Sequence, residues 1–397
     1  MITEEPNKKH QKHTALSRPA TGEFGRNEIA ILGTDCGTIK KLAYRITEHL
    51  SAAYKIAYAD ADHSHAENTD VENIATSALS FGASAEFIDK IAFRRFDASS
   101  SFNSFQKRVL FNEQDLILIN GNHFPGKTQI VVVDPKKSLE KKLDRLTNVK
   151  LILLKEKDIE LPAYLKNLPG LDGIPILHIE EDEAITQFVQ QFLEASIPLL
   201  QGLVLSGGLS TRMQKDKGSL EYHGKSQREY VYEMLSKYCK STFISCNREQ
   251  ASTLSEFEII EDSFLNLGPV GGILSALQSN PNVAWLTVAC DLPYLSDKTI
   301  EYLVAHRNPS KMTTAFADPK GEFPEPLITI WEPKSYSILL QFLGQGYSCP
   351  RKALINSDIE LLQAPDESEF QNVNRPEEYQ AALQELKLLA LKGAKST

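Results

Sequence analysis

Short apolar runs recur along this chain, and each ends in a polar or glycine-bearing exit. Ile29-Ala30-Ile31-Leu32 runs into Gly33, Leu116-Ile117-Leu118-Ile119 into Asn120-Gly121, Ile130-Val131-Val132-Val133 into Asp134, and Leu203-Val204-Leu205 into Ser206-Gly207-Gly208. A later run, Ala284 onward to Cys290, meets Asp291-Leu292-Pro293. Runs of this length read as strands, and a strand apolar on both faces has to be covered on both. Stretches with helical spacing stand between them, at 42–50, 180–195 and 226–238, and a charged helix is expected between Asp134 and Lys150. The alternation predicts an α/β protein of mainly parallel sheets with helices on both faces. Open sheets of this kind seat ligands beyond the carboxyl ends of their strands, which is where the polar exits fall.

A chain of 397 residues is too long for one average core, so two domains are expected. The first, over 27–160, opens as strand, glycine loop and helix, in the manner of a P-loop unit. A connecting segment over 161–199 is marked by Leu161-Pro162, Ile174-Pro175 and Ile197-Pro198, and the second, Rossmann-like domain covers 200–385. Residues 1–26 and 386–397 read as tails. The first tail has no apolar core of the kind a signal peptide or anchor needs, and no later stretch is apolar for long enough to span a bilayer. The formal net charge of −9 argues against general affinity for nucleic acid. Five cysteines, Cys36, Cys239, Cys246, Cys290 and Cys349, form no C-x-x-C pair, which suits a reducing cytoplasm and gives no zinc site.

The stretch from Leu203 to Gly218 carries the most chemistry. Paired glycines let backbone N–H groups approach an anion without a Cβ in the way, and Arg212 and Lys217 add the countercharge that a triphosphate needs. Asp291, at the tip of a buried strand, has two readings: a magnesium ligand, or a cap for the helix near Ser296-Asp297. Asn247-Arg248, Asp262 and the turn Gly268-Pro269-Val270-Gly271-Gly272 end or follow other strands of this half. In the first half, the loop from Gly33 to Lys41 lacks a Gly-Lys-Ser/Thr triplet, with Thr38-Ile39-Lys40 in its place, so nucleotide hydrolysis there is not expected. His63 and His65 read as exposed and unliganded.

Leu205-Ser206-Gly207-Gly208-Leu209-Ser210-Thr211-Arg212-Met213-Gln214-Lys215-Asp216-Lys217-Gly218 resembles the L-x-G-G-x-S-x-R-M-G-x-D-K-G signature of the molybdenum cofactor guanylyltransferases, with Gln214 in place of a glycine. Asn247-Arg248, Ile260-Glu261-Asp262, 268–273, Cys290-Asp291-Leu292-Pro293 and 370–378 follow in the family's order. The resemblance implies transfer of GMP from GTP to molybdopterin. Arg212, Lys217 and Asp291 would be catalytic. Leu205, Ser206, Gly207, Gly208, Lys217, Asn247, Asp262 and Asp291 would contact GTP, with Mg²⁺ on Asp291. Asn372, Asn374 and Arg351 would lie on the pterin side, although Arg351-Lys352 also reads as a solvated surface pair. Arg375 stands where the family has Thr, and Phe323-Pro324-Glu325-Pro326 replaces a more usual His-Pro. The first half resembles the molybdopterin-guanine dinucleotide accessory protein in the 33–41 loop, His63-Ser64-His65 and 115–121. Its altered loop implies a degenerate domain that binds or docks, and molybdoenzymes or cofactor-inserting proteins are the expected partners. Two alternatives stay open: a related transferase using another nucleotide or phosphorylated acceptor, and a non-catalytic carrier of the cofactor.

Overall fold

The computed structural model describes residues 25–61, 77–99, 103–157, 159–167, 170–206 and 216–393. His63, His65, Gly207, Gly208 and Arg212 therefore lie outside the described residues. Fifteen strands are described: β1 Asn27–Leu32, β2 Ile56–Ala59, β3 Ala85–Lys90, β4 Phe93–Ala98, β5 Leu116–Asn120, β6 Thr128–Val133, β7 Val149–Leu154, β8 Ile176–His178, β9 Leu200–Leu205, β10 Thr242–Cys246, β11 Ile259–Glu261, β12 Ala284–Ala289, β13 Thr313–Ala317, β14 Pro324–Trp331 and β15 Glu360–Leu362. The helices are α1 Cys36–Leu50, α2 Ser104–Val109, α3 Ala163–Lys166, α4 Asp182–Ala195, α5 Gln227–Ser236, α6 Arg248–Ala251, α7 Pro269–Ser279, α8 Asp297–Ala305, α9 Ser335–Gly344, α10 Pro350–Ile355 and α11 Pro376–Gly393.

The first sheet has the order β2-β5-β1-β6-β7-β8, and all of its pairings are parallel. Alternate residues of β1 serve opposite faces, as strand geometry requires. Ile29 and Ile31 join Ile39, Leu42 and Ile46 of α1 and Val189 of α4, whereas Leu32 joins Val133, Leu139 and Leu165 on the other side. Each such side chain removed from water contributes about 1.5–3 kcal/mol. The stretch 161–199 does more than connect: β8 extends the sheet beside β7, and α4 packs on α1. The charged helix expected between Asp134 and Lys150 is instead a short 3-10 segment, Glu140–Arg145, broken at Lys142, whose φ of −136° is not helical. The hairpin of β3 and β4 was not foreseen, because its exposed Phe87, Phe93 and Phe96 do not mark a buried run.

The second sheet has the order β11-β10-β9-β12-β14-β13-β15. Its pairings are parallel except where β14 runs against β12 and β13. Val204 faces α5 and α8 while Leu203 and Leu205 face α7, so the sheet is covered on both sides. A glycine is required where α7 meets β10: a Cβ on Gly272 would fall 2.4 Å from Ser245 Oγ. The two halves are joined by charge as well as by chain. Lys334, which is 2% exposed, donates to Asp115 Oδ1 at 2.7 Å, to the Glu113 carbonyl at 3.2 Å and to the Ser310 carbonyl at 3.1 Å. Lys55 reaches Asp358 at 2.7 Å across the same boundary.

Candidate active site

The polar exits of β9, β10, β12 and the chain before α11 converge beyond the carboxyl edge of the second sheet. Asp291 follows β12 directly, and its carbonyl accepts from the Val373 N–H at 3.0 Å, which holds the 372–375 stretch against the strand end. Lys217 arrives from the other side on a one-turn 3-10 segment, Lys217–Ser219, capped by Asp216, whose carboxylate accepts from the Gly218 N–H at 3.0 Å. The Lys217 Nζ then donates to Asp291 Oδ2 at 3.1 Å and to Asn374 Oδ1 at 2.5 Å. Three residues far apart in sequence thus meet at one ammonium group.

Two oxygens beside this group are left over. Asp291 Oδ1 is buried with no hydrogen-bond partner among the described residues, and so is Ser206 Oγ at the end of β9. Leaving a buried acceptor unsatisfied costs about 1–3 kcal/mol, which makes both atoms candidate ligand contacts. Burial, with the Asp291 charge second, pushes the Cys290 thiol up to about 12, which keeps that neighbour neutral.

Arg228 on α5 is a site residue that the sequence did not single out. It is 6% exposed and its guanidinium is ion-paired to Asp216, while Gln250 Nε2 reaches the same carboxylate at 3.4 Å. A Cβ on Gly218 would fall 2.5 Å from Ser206 Oγ and 2.9 Å from Arg228 Nε, so only glycine lets the Lys217 turn lie on this buried cation. Within a helix of ordinary amphipathic spacing an arginine reads as solvent-facing, and its partner lies on a different element. No sequence signal marked it.

The remaining expected site residues divide into those held near the cleft and those engaged elsewhere. Leu205 ends β9 and is buried. Asp262 follows β11, and Ser245 Oγ donates to it at 2.8 Å. Burial raises its carboxyl above the ordinary range, opposed by that hydrogen bond and assisted by Glu261. Asn247 forms a capping box at the start of α6: its Oδ1 accepts from the Gln250 N–H at 2.9 Å, and the Asn247 N–H donates to Gln250 Oε1 at 3.2 Å. Asn372 is exposed and shares none of the bonds around Lys217. Arg351 pairs with Glu325 Oε2 at 2.9 Å. Burial raises the Glu325 carboxyl, and the Asp291 charge adds to the rise, which links this pair to the same cleft.

The corresponding edge of the first sheet carries a different arrangement. Asp35 caps α1, accepting from the Thr38 N–H at 2.8 Å and the Thr38 hydroxyl at 2.7 Å, and these bonds hold its carboxyl far below the usual range. Lys155 joins Asp35 at 3.1 Å and Asp134 at 2.6 Å. The helix end that seats a phosphate in a working P-loop is therefore faced by the protein's own carboxylate. Replacing Asp35 with Ala is expected to lower stability by about 1 kcal/mol at neutral pH. Because the folded-state pKa is depressed, that contribution exists above the unfolded carboxyl value, about 3.9, and is lost as pH falls through the folded one. Urea midpoints of wild type and variant should accordingly converge in acid.

Comparison with known proteins matches residues 202–359 to the family described as the MobA-like NTP transferase domain. A molybdenum cofactor biosynthesis bifunctional protein from Synechocystis is 36% identical over 182 residues, covering 45% of this chain and 52% of the relative, so the chain matches about half of that protein's length. A molybdenum cofactor guanylyltransferase from Vibrio atlanticus is 32% identical over 183 residues, covering 44% of this chain and 91% of the relative. Among solved structures, the molybdopterin-guanine dinucleotide biosynthesis protein A of Archaeoglobus fulgidus is 24% identical, with a TM-score of 0.40, and the match covers 46% of this chain and 97% of that one. Through its second half, the chain belongs to the molybdenum cofactor guanylyltransferase family.

Proposed function

We propose that the second half transfers GMP from GTP to the phosphate of molybdopterin, releasing pyrophosphate, and that the first half is a docking domain that does not hydrolyse nucleotide. The observation that carries the transfer reading is the meeting of Lys217, Asp291 and Asn374 beside two unsatisfied buried oxygens. An oxygen of the acceptor phosphate attacks the α-phosphorus of GTP, and the bond between α-phosphorus and the bridging oxygen breaks with its electrons leaving on pyrophosphate. The attacking oxygen is already anionic, so the site needs no general base. Its work is alignment and charge neutralisation. Lys217, oriented by Asn374 and by the Asp216–Arg228 pair beneath it, supplies a fixed positive charge to the phosphates.

Nucleotidyltransferases of this kind typically use a divalent metal. No cluster of three metal-ligating side chains occurs among the described residues, but a metal carried on a triphosphate needs only one or two protein carboxylates. Asp291 fits that requirement through its unpartnered Oδ1, and Mg²⁺ held there would neutralise charge on the phosphates. On the nucleotide side we assign Leu205, Ser206, Gly207, Gly208, Asn247 and Asp262. Asn372, Asn374 and Arg351 are assigned to the pterin side. No described helix is long and apolar enough to cross a membrane.

The reading is tested by pyrophosphate release from GTP, CTP and ATP in the presence of Mg²⁺ and molybdopterin. Turnover confined to GTP is expected. Binding of GTP by folded protein without turnover of any nucleotide would favour a carrier instead. Asp262 is assigned to the guanine N1–H and 2-amino group, because its carboxylate stands at a strand end with one hydrogen bond from Ser245. In kcat/KM, Asp262→Asn is expected to cut the preference for GTP over ATP by about tenfold to a hundredfold, the worth of one hydrogen bond to a charged group. Unchanged selectivity would remove Asp262 from base recognition.

A further inference from the structure

The carboxyl edge of the first sheet holds a nucleophile that the transfer reaction does not use. Cys36 is the first residue of α1 and follows β1; His123 and Asn122 follow β5; Asp60 follows β2. These three strands are neighbours in the sheet, so their carboxyl ends lie together at one edge, the edge at which open α/β sheets seat ligands. Cys36 is exposed, and its Sγ lies 3.3 Å from His123 Nε2 and 3.6 Å from Asn122 Nδ2. His123 Nε2 lies 3.8 Å from Asp60 Oδ1, and Asp60 is fixed in turn by the Tyr58 hydroxyl at 2.6 Å, Asn120 Nδ2 at 2.8 Å and the Ala61 N–H at 2.7 Å. Asp35, next to Cys36 in sequence, is turned to Thr38 and Lys155 and leaves the sulfur open.

We propose that Cys36 and His123 form a thiol-modification site that takes low-molecular-weight disulfides. The thiol proton passes to His123 Nε2 while Asp60 stabilises the resulting imidazolium, and the sulfur attacks one sulfur of the disulfide. The disulfide bond breaks with its electron pair leaving on the second sulfur, which takes the proton back from His123. The products are a mixed disulfide on Cys36 and one free thiol. The other cysteines belong to the second half, where Cys246 and Cys290 are buried, and none lies beside Cys36 to resolve the adduct. The modified state therefore persists until an external thiol removes it.

Cys349, also exposed, is the internal reference, since no histidine among the described residues bonds to it. In a full-length Cys239→Ser background, Cys349→Ser reports the reaction of Cys36 with dithiobis-nitrobenzoate and Cys36→Ser reports that of Cys349. At neutral pH Cys36 is expected to react about fivefold faster, because the imidazole beside its sulfur can take the thiol proton as the bond forms. Adding His123→Gln to Cys349→Ser should bring the rate down to that of Cys349. Incubation of wild type with glutathione disulfide should place the added mass on the Cys36 peptide. Equal rates for the two cysteines, or a Cys36 rate that does not respond to His123→Gln, would overturn the proposal. The first comparison needs no change at His123, so it stands even where that variant folds poorly.

Discussion

Asp291→Ala is expected to lower GTP-dependent pyrophosphate release by about a thousandfold while leaving the protein folded. The loss is large because one side chain serves two requirements. Its Oδ2 is the counter-ion of the Lys217 ammonium, and its Oδ1 is buried without a partner among the described residues and is the oxygen we propose for a metal. Folding is expected to survive because the contact that organises the neighbouring chain is made by the backbone: the Asp291 carbonyl accepts from Val373 whatever the side chain. The isosteric Asp291→Asn separates the two requirements. It keeps an oxygen for Lys217 but removes the charge, so a loss close to that of Ala assigns the effect to charge, and activity near wild type assigns it to Lys217 placement. Initial rates over a range of Mg²⁺ concentration give the second readout. If the carboxylate holds the ion, the Asn variant needs more of it, whereas an unchanged Mg²⁺ dependence would remove Asp291 as its ligand.

What could be read from the sequence here was whatever depends on local order. The apolar runs specified the parallel strands of both sheets, because a strand buried on both faces has to be apolar throughout, and their polar exits marked the edge where Lys217, Asp291 and Asn374 meet. Asp291 was legible as the first polar group beyond its apolar run, and Lys217 as a cation within ten residues of the paired glycines. Arg228 was not, because its meaning depends on a turn packed over it from another element. Asn247 was legible as a polar residue at a strand end, but its capping box with Gln250 needed the short helix that follows. Strand β14 was missed although Ile328-Thr329-Ile330-Trp331 is strand-forming, because its start carries Pro324 and Pro326, and the β3–β4 hairpin because its phenylalanines are exposed. The segment 161–199 looked like a connection because Pro and Gly dominate its start, and those residues mask a strand only three residues long. Arg351 illustrates the opposite limit: the sequence shows a free cation, and the fold supplies Glu325 as its partner.

The largest expected effect on stability falls between the halves. Lys334→Ala should lower unfolding free energy by about 3–5 kcal/mol, because it leaves the largely buried Asp115 carboxylate without its counter-ion. The side chains concerned are 3% and 11% exposed, and the ammonium group also satisfies the Glu113 and Ser310 carbonyls, so the substitution removes three bonds and leaves three acceptors. Removing both charges should cost less. In Lys334→Met with Asp115→Leu the stranded charge is gone, and an apolar pair of similar size replaces the ion pair. Recovery is expected to be incomplete, because Asp115 Oδ2 also accepts from the Lys55 N–H at 2.8 Å, and that donor would lose its partner at a cost of about 1–3 kcal/mol. Urea unfolding followed by both tryptophan fluorescence and circular dichroism measures each term. Trp285 and Trp331 belong to the second half, so fluorescence reports that half while the dichroism signal reports both. If Lys334 couples the halves, the Lys334→Ala transitions separate between the two probes, and the paired substitution brings them back together. Coincident transitions with an unchanged midpoint in Lys334→Ala would mean that the halves are held by the connecting chain and the surface pair Lys55–Asp358 instead.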